Sequence, residues 1–250
     1  MRAIIAPAKQ MRVAPDSISA TQLPVFLQKT QQLQRWIASL SFDQQKRLWA
    51  CNDALAQQNA ERFAHMDVRA NLSPALLSYS GIQYTYMAPC VLTDSQLAYV
   101  QEHLRILSGF YGVLKPLDGV VPYRLEMQAK AVVDGYKNLY DFWGRLLYDE
   151  VIDDSRVIIN LASKEYSQCI KAYTTPQDTF ITCVFAELSG TKLVQKGVYA
   201  KMARGEMVRF MAQIHAETPE QLKAFNWSGY QFCEERSDDT QYVFLKARAQ

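Results

Sequence analysis

Histidine is scarce and cysteine is unorganised in this 250-residue chain, which has three His and five Cys (51, 90, 169, 183 and 233) and no CxxC pair. Such spacing excludes a disulfide framework and a zinc site, and it fits a reducing compartment. HExxH, GxSxG, the P-loop and GxGxxG are all missing, which removes the commonest metalloprotease, serine hydrolase and nucleotide-binding signatures. No apolar run approaches the roughly 18 residues of a membrane span, and the few apolar residues before Pro7 and Lys9 are too short for a signal peptide. We therefore expect a cytoplasmic protein with no membrane partner, no metal site and no cofactor. Net charge is small as well: 27 Lys plus Arg against 25 Asp plus Glu leaves +2, unlike a strongly basic chromatin or ribosomal protein. What remains, 49% hydrophobic and 21% charged residues, is ordinary globular composition, long enough for a sizeable core.

The near-neutral total hides segregation. Residues 1–12 carry Arg2, Lys9 and Arg12 with no acid, and residues 192–209 carry Lys192, Lys196, Lys201, Arg204 and Arg209 against Glu206 alone. Residues 134–156 and 217–239 each hold six acids. A positive stripe between acidic flanks binds a polyanion in one place without adhering to it everywhere, although clustered charge can equally be a solvated face. Lys201 and Arg204 stand three apart and share a face if the segment is helical.

Hydrophobic periodicity divides the chain into strands at both ends and helices between. Residues 2–6 read as a buried strand broken at Pro7, which leaves Lys9 in the loop beyond its C-terminal end. A helical face runs from Leu23 to Leu40, Ser41 and Gln44 form a capping box for a helix to about Phe63, and residues 72–92 read as a loop with an extended piece at Gln83–Met87. Thr93 and Gln96 cap a helix whose face is Leu97, Val100, Leu104 and Leu107, running into Ser108-Gly109. Tyr123–Met127 alternates, which puts Arg124 and Glu126 on one side. Asn138–Val151 is helix-like and Arg156–Ala162 is a continuous apolar strand. Thr179–Leu188 pairs with Thr191–Lys196 through Ser189-Gly190, Val198–Ile214 is a helix, Thr218-Pro219-Glu220-Gln221 opens a short one, and 242–246 closes as a strand. No repeat or linker divides the chain, so the expectation is one α+β domain over residues 1–250, a mixed sheet surrounded by helices.

Several residues could carry chemistry. The stretch His103 to Asp118 brackets Phe110-Tyr111 with Gly109 and Gly112. It resembles a helix-hairpin-helix module, whose turn amides, here around Ser108, Gly109 and Gly112, would meet a phosphate while Arg105 and Lys115 grip the strand; an ordinary glycine cap and turn is the other reading. Arg124 and Glu126 suit a phosphate-binding arginine with its orienting carboxylate, a general acid/base pair, or a structural ion pair. Asn160 and Ser163 end an apolar strand, where α/β proteins often meet ligands. His65, His103 and His215 lack metal-ligand spacing. Tyr79, Tyr84, Tyr86 and Tyr123 could stack on bases or fill the core.

Taken in order, Ile-Ile-Ala-Pro-Ala-Lys9, His103 through Asp118, Pro122-Tyr-Arg-Leu-Glu-Met127, Leu139-Tyr-Asp-Phe-Trp-Gly144, Ile159-Asn-Leu-Ala-Ser163 and Tyr199-Ala-Lys-Met-Ala-Arg-Gly205 resemble the motifs of the YaaA family of bacterial peroxide-stress proteins. Pro219 through Phe225 and Gly229-Tyr-Gln-Phe232 match too, so the likeness covers essentially the whole chain. The resemblance implies an unusual single mixed α/β domain, a helix-hairpin-helix-like element, and a positive cleft. It further implies binding to duplex or distorted DNA without strong sequence preference, and a role in limiting oxidative damage linked to iron and peroxide. Carried over by motif, Lys9, Arg105, Lys115, Arg124, Lys201 and Arg204 line that cleft. Where the family has an aromatic-Lys-Gly-Asp sequence, this chain has Tyr79-Ser-Gly-Ile-Gln-Tyr84, losing a lysine and an aspartate and with them the basis of any activity needing that acid. The alternative function is a lyase, hydrolase or transferase acting on a base, nucleotide or other small anion, with Tyr123, Glu126, Asn160 and Ser163 as the candidate catalytic groups. The oligomeric state is left open.

Overall fold

Every strand of the main sheet is short except one, and the order in which they pair fixes where a ligand can sit. The computed structural model describes residues 1–13 and 18–247. In chain order the elements used below are β1 (Arg2–Ile5), α1 (Leu27–Ser39), α2 (Phe42–Trp49), α3 (Asp53–His65), α4 (Ile82–Met87), α5 (Asp94–His103), β2 (Leu104–Ser108), β3 (Gly112–Leu114), α6 (Leu139–Trp143), α7 (Leu146–Val151) and β4 (Val157–Leu161). They continue with α8 (Lys164–Lys171), β5 (Thr179–Ser189), β6 (Lys192–Val194), α9 (Gly197–Ile214), α10 (Pro219–Leu222), β7 (Tyr230–Phe232) and β8 (Gln241–Lys246). Eight strands form one mixed sheet in the order β7-β8-β5-β4-β1-β2-β3, with β6 paired to β5. Strand β1 is central and parallel to both β2 and β4. Pairs β4–β5 and β5–β8 are also parallel, whereas β2–β3, β5–β6 and β7–β8 are antiparallel.

The chain leaves β1 toward β2 and β3 on one side and leaves β4 toward β5 and β8 on the other. The boundary between β1 and β4 is therefore a topological switch point, where the two connections part and open a crevice at the carboxyl ends of the strands. The core is one continuous cluster that joins Ile4, Ile106 and Ile159 on the sheet to Leu33, Phe63, Trp143, Met207 and Phe225 on the surrounding helices and loops. Val184, Ala186 and Val243 form a small second cluster on β5 and β8.

Local signals behave as the sequence indicates at the helix starts. Ser41, Thr93 and Thr218 each close a capping box, with Gln44, Gln96 and Gln221 respectively. The hairpin of β5 and β6, the long helix α9 and the closing strand β8 also lie where expected. Four differences have identifiable causes. The helix expected from Ser41 to Phe63 is two, because Ala50 turns left-handed (φ 44°) and Asn52 caps a new start by accepting from Leu55 N. Asn138–Val151 likewise breaks at Gly144 into α6 and α7. Gln83–Met87 is helical within α4, held against α9, where an extended piece was expected.

The helix capped at Thr93 stops at His103, and Leu104–Ser108 continues as β2 because it pairs with the central strand, Ile4 facing Arg105. The expected helix-hairpin-helix element is consequently a β-hairpin, in which Ser108 faces Gly112 across the turn. Its amides do not reach solvent: those of Phe110 and Tyr111 donate to Ser108 Oγ at 3.1 and 2.9 Å, and both rings are fully buried.

Candidate functional site

At the switch point the loop after β1 and the start of α8 after β4 form two walls of a cleft of about 490 Å³. The third wall is the 123–126 segment, and the fourth is α4 with the face of α9 that carries Lys201 and Arg204. Gly205 makes this last wall possible: a Cβ there would stand 2.1 Å from Gln83 O, so only glycine lets α9 lie directly on α4.

Lys9, Arg124, Lys201 and Arg204, drawn from three distant stretches of sequence, all line this cleft, and Glu126 and Glu165 are its two carboxylates. The formal charge inside is positive. The alternation read in 123–127 holds: Tyr123, Leu125 and Met127 are buried, while Arg124 and Glu126 point to the cleft side. Glu126 bridges two cations, accepting from Arg124 Nη2 through Oε1 at 3.0 Å and pairing with Lys9 Nζ through Oε2 at 3.0 Å. Arg124 is further anchored by donating Nε to Trp49 O at 3.3 Å. It is a fixed guanidinium, whereas the Lys9 side chain, held only at its ammonium, is 66% exposed.

Arg204 stands apart. Burial pushes its guanidinium pKa down, its Nε is buried without a hydrogen-bond partner, and no carboxylate among the described residues pairs with it. By contrast, Arg2 and Arg156 pair with carboxylates.

The remaining candidates separate into those in the cleft and those elsewhere. Tyr123 lines it with only 4% of its surface exposed. Its hydroxyl is shared with Tyr79 at 2.8 Å and Ser108 at 2.5 Å, and burial pushes its pKa up to about 12. Ser163 is in the wall at the start of α8, where its side chain makes no cap bond. Asn160 is one strand position too early: its side chain donates to Thr182 Oγ1 and accepts from Ala162 N, tying β4 to β5. Arg105 is buried outside the cleft, where its Nη1 donates to the carbonyls of Gln101, Glu102 and Leu104; burial first, then the charge of Arg2, lowers its pKa to about 10. Ser108, Gly109 and Gly112 belong to the buried hairpin turn, and a Cβ on Gly109 would meet Leu125 O at 2.6 Å. Lys115 lies in the turn after β3, its backbone amide bound to Asp118 Oδ2.

Tyr84, read from the sequence as a stacking or core residue, lines the cleft, and Gln83, Glu165 and Tyr166 are lining residues the sequence reading did not single out. Burial pushes the Glu165 carboxyl up, and the neighbouring charge of Glu126 adds to this against the Gln128 amide that donates to it. The signal for Glu165 was available, because it stands in the first helical turn after the apolar strand that ends at the switch point. Among the described residues no group of three or more His, Cys, Asp or Glu side chains is placed to hold a metal ion. No helix there is long and apolar enough to cross a membrane.

Comparison with known proteins adds the family. Relatives catalogued as UPF0246 proteins include one from Agathobacter rectalis, 55% identical over 244 residues and covering 98% of each chain. Another, from Desulfitobacterium hafniense, is 50% identical over 250 residues and covers all of both. One from Limosilactobacillus reuteri is 47% identical over 245 residues, 98% of each chain. A family model described as peroxide stress protein YaaA matches residues 1–236, and with that coverage the chain belongs to the YaaA family of peroxide stress proteins.

Proposed function

We propose that this protein binds DNA in the response to peroxide, taking one unpaired or extruded nucleotide of a distorted duplex into the switch-point cleft. The observation that carries the reading is Arg204, a half-buried guanidinium whose Nε has no hydrogen-bond partner and which no carboxylate pairs among the described residues, one helical turn from Lys201 in a positively charged concavity. A buried charge left unpaired is costly, and a nucleic-acid phosphate supplies the missing anion. Size supports a nucleotide over a whole duplex: about 490 Å³ suits a small ligand, whereas B-DNA needs an open groove. Tyr84 and Tyr166 line the cleft, although they are only 4% and 6% exposed. Family membership supports the link to peroxide stress.

The test is anisotropy titration of a fluorescent duplex with a central unpaired bubble, a fully paired duplex and a free mononucleotide, each across a salt series. The bubble should bind tightest, with affinity falling linearly in log salt. The double variant Lys201→Glu/Arg204→Glu should lose most of that affinity and reduce the slope by about two. Unchanged bubble binding by the double variant rejects the reading.

A second reading, an enzyme acting on a small anion, draws on two carboxylates in one cavity, Glu165, whose pKa burial pushes up, and Glu126, which is ion-paired with Lys9 and Arg124. Mononucleotide binding with no DNA affinity, together with product formation abolished in Glu165→Gln, selects it.

A further inference from the structure

Strand β5 is 11 residues long, but its sheet partners β4 and β8 cover it only as far as Ala186. Residues 187–189 pair with β6, and among the described residues the two strands run on past the end of β8 as a ribbon with Gly190 at its tip (φ +60°). From Leu188 to Tyr199 every residue is exposed except Leu193. Along it Val194 is 39%, Val198 51% and Tyr199 39% exposed.

The surroundings are cationic. Lys246 Nζ stands over the Tyr199 ring at 4.5 Å and Lys196 Nζ at 5.5 Å, while Lys192 is exposed near the tip. The one carboxylate on the ribbon, Glu187, is already held by Lys196 at 2.7 Å. The surface also continues into the cleft, because Val198 stands three residues before Lys201 on the same helix and shares its face. Exposed apolar side chains interleaved with lysines suit a duplex backbone, lysines to phosphates and apolar groups to sugars, and a two-stranded ribbon is narrow enough to enter a groove.

We propose that the β5–β6 ribbon and the first turn of α9 form a second contact with DNA, gripping the duplex that flanks the nucleotide held in the cleft. The inference rests on the cleft reading, and the two can fail separately. The test is anisotropy with two probes, a bubble flanked by ten base pairs on each side and a short single strand of the bubble sequence, for wild type, Lys192→Glu/Val194→Asp and Lys201→Glu/Arg204→Glu. The ribbon variant should bind the flanked bubble about tenfold more weakly at ~0.1 M salt and bind the single strand as wild type does. The cleft variant should lose both. Wild-type binding of both probes by the ribbon variant, alongside loss in the cleft variant, overturns the ribbon contact and leaves the cleft reading standing. Unaltered binding by the cleft variant overturns that reading instead. Light scattering adds an outcome: a change of mass in the ribbon variant with DNA binding intact makes the surface a protein interface and overturns the proposal. Should the double substitution unfold the ribbon, the milder Lys192→Gln must still lower the salt slope by about one; an unchanged slope counts against it.

Discussion

Arg204 and Arg105 are both largely shielded from water, and their different surroundings separate the residue proposed to bind from a structural one. Both keep a buried Nε without a hydrogen-bond partner, but Arg105 lies outside the cleft and donates Nη1 to three carbonyls. Arg204 lines the cleft with no carboxylate paired to it among the described residues, and replacing it with an apolar side chain of similar length removes that charge. Arg204→Met should therefore stabilise the free protein by about 1–2 kcal/mol, and the rise in melting temperature that the proposed function predicts on adding inorganic phosphate to the wild type should be absent from the variant. Thermal melts with and without phosphate check both halves; a destabilised variant that still responds to phosphate contradicts the assignment. Asp118 makes a pH prediction. It is buried, accepts from Gln22 Nε2 at 2.6 Å and Lys115 N at 2.9 Å, and burial raises its carboxyl from 3.8 to about 6 against those hydrogen bonds. A folded pKa above the unfolded one means that its stabilising share is complete below about pH 4 and is lost as pH rises through 6, on the order of 2–3 kcal/mol by pH 7. Asp118→Asn, with the Gln22 amide turned to accept, should flatten that fall. Urea midpoints at pH 4.5 and 7.5 measure it.

Among the elements, one glycine determines how closely two walls of the cleft approach. A methyl group on Gly205 would meet Gln83 O at 2.1 Å and Met87 N at 2.9 Å, so Gly205→Ala has to push α9 away from α4. We expect about 1–3 kcal/mol of destabilisation together with weaker phosphate binding, because Lys201 and Arg204 ride on the displaced helix. Full stability in that variant contradicts the packing. Helix starts at Ser41, Thr93 and Thr218 were legible because a capping box is a local agreement between side chains and backbone three residues apart. Strand β2 was not. Leu97, Val100, Leu104 and Leu107 keep a helical spacing across a boundary that only pairing with β1 imposes, and no nearby residue announces that partner 101 positions away. The same long-range pairing withdraws Arg105 and the hairpin glycines from the surface. That is why a motif read from spacing alone assigned them to a phosphate.

For the whole molecule, Lys9, Lys201 and Arg204 stand in the segregated basic segments, Arg124 on the polar side of the 123–127 alternation, and Lys9 and Ser163 at strand ends, but their meeting in one cleft follows from the family resemblance alone, because the switch point that unites them depends on strand order, which no local pattern carries. That order also makes the two halves of the chain interdependent. Central β1 comes from the N-terminus, its neighbours β2 and β4 begin at residues 104 and 157, and one core cluster reaches from Trp49 and Trp143 to Phe225, with Trp227 packed against it. Nothing in this layout lets the β5–β8–α9 side keep its packing once β1 is withdrawn, so unfolding should be a single cooperative transition. The tryptophans are placed to test it, Trp143 against Gly109 O on one side and Trp227 against Phe210 and Phe225 on the other. In variants retaining only Trp143 or only Trp227, the urea transition followed by fluorescence should coincide with that followed by far-UV circular dichroism. A Trp227 transition that precedes the loss of secondary structure would divide the chain into two units, with the cleft lying on the boundary between them.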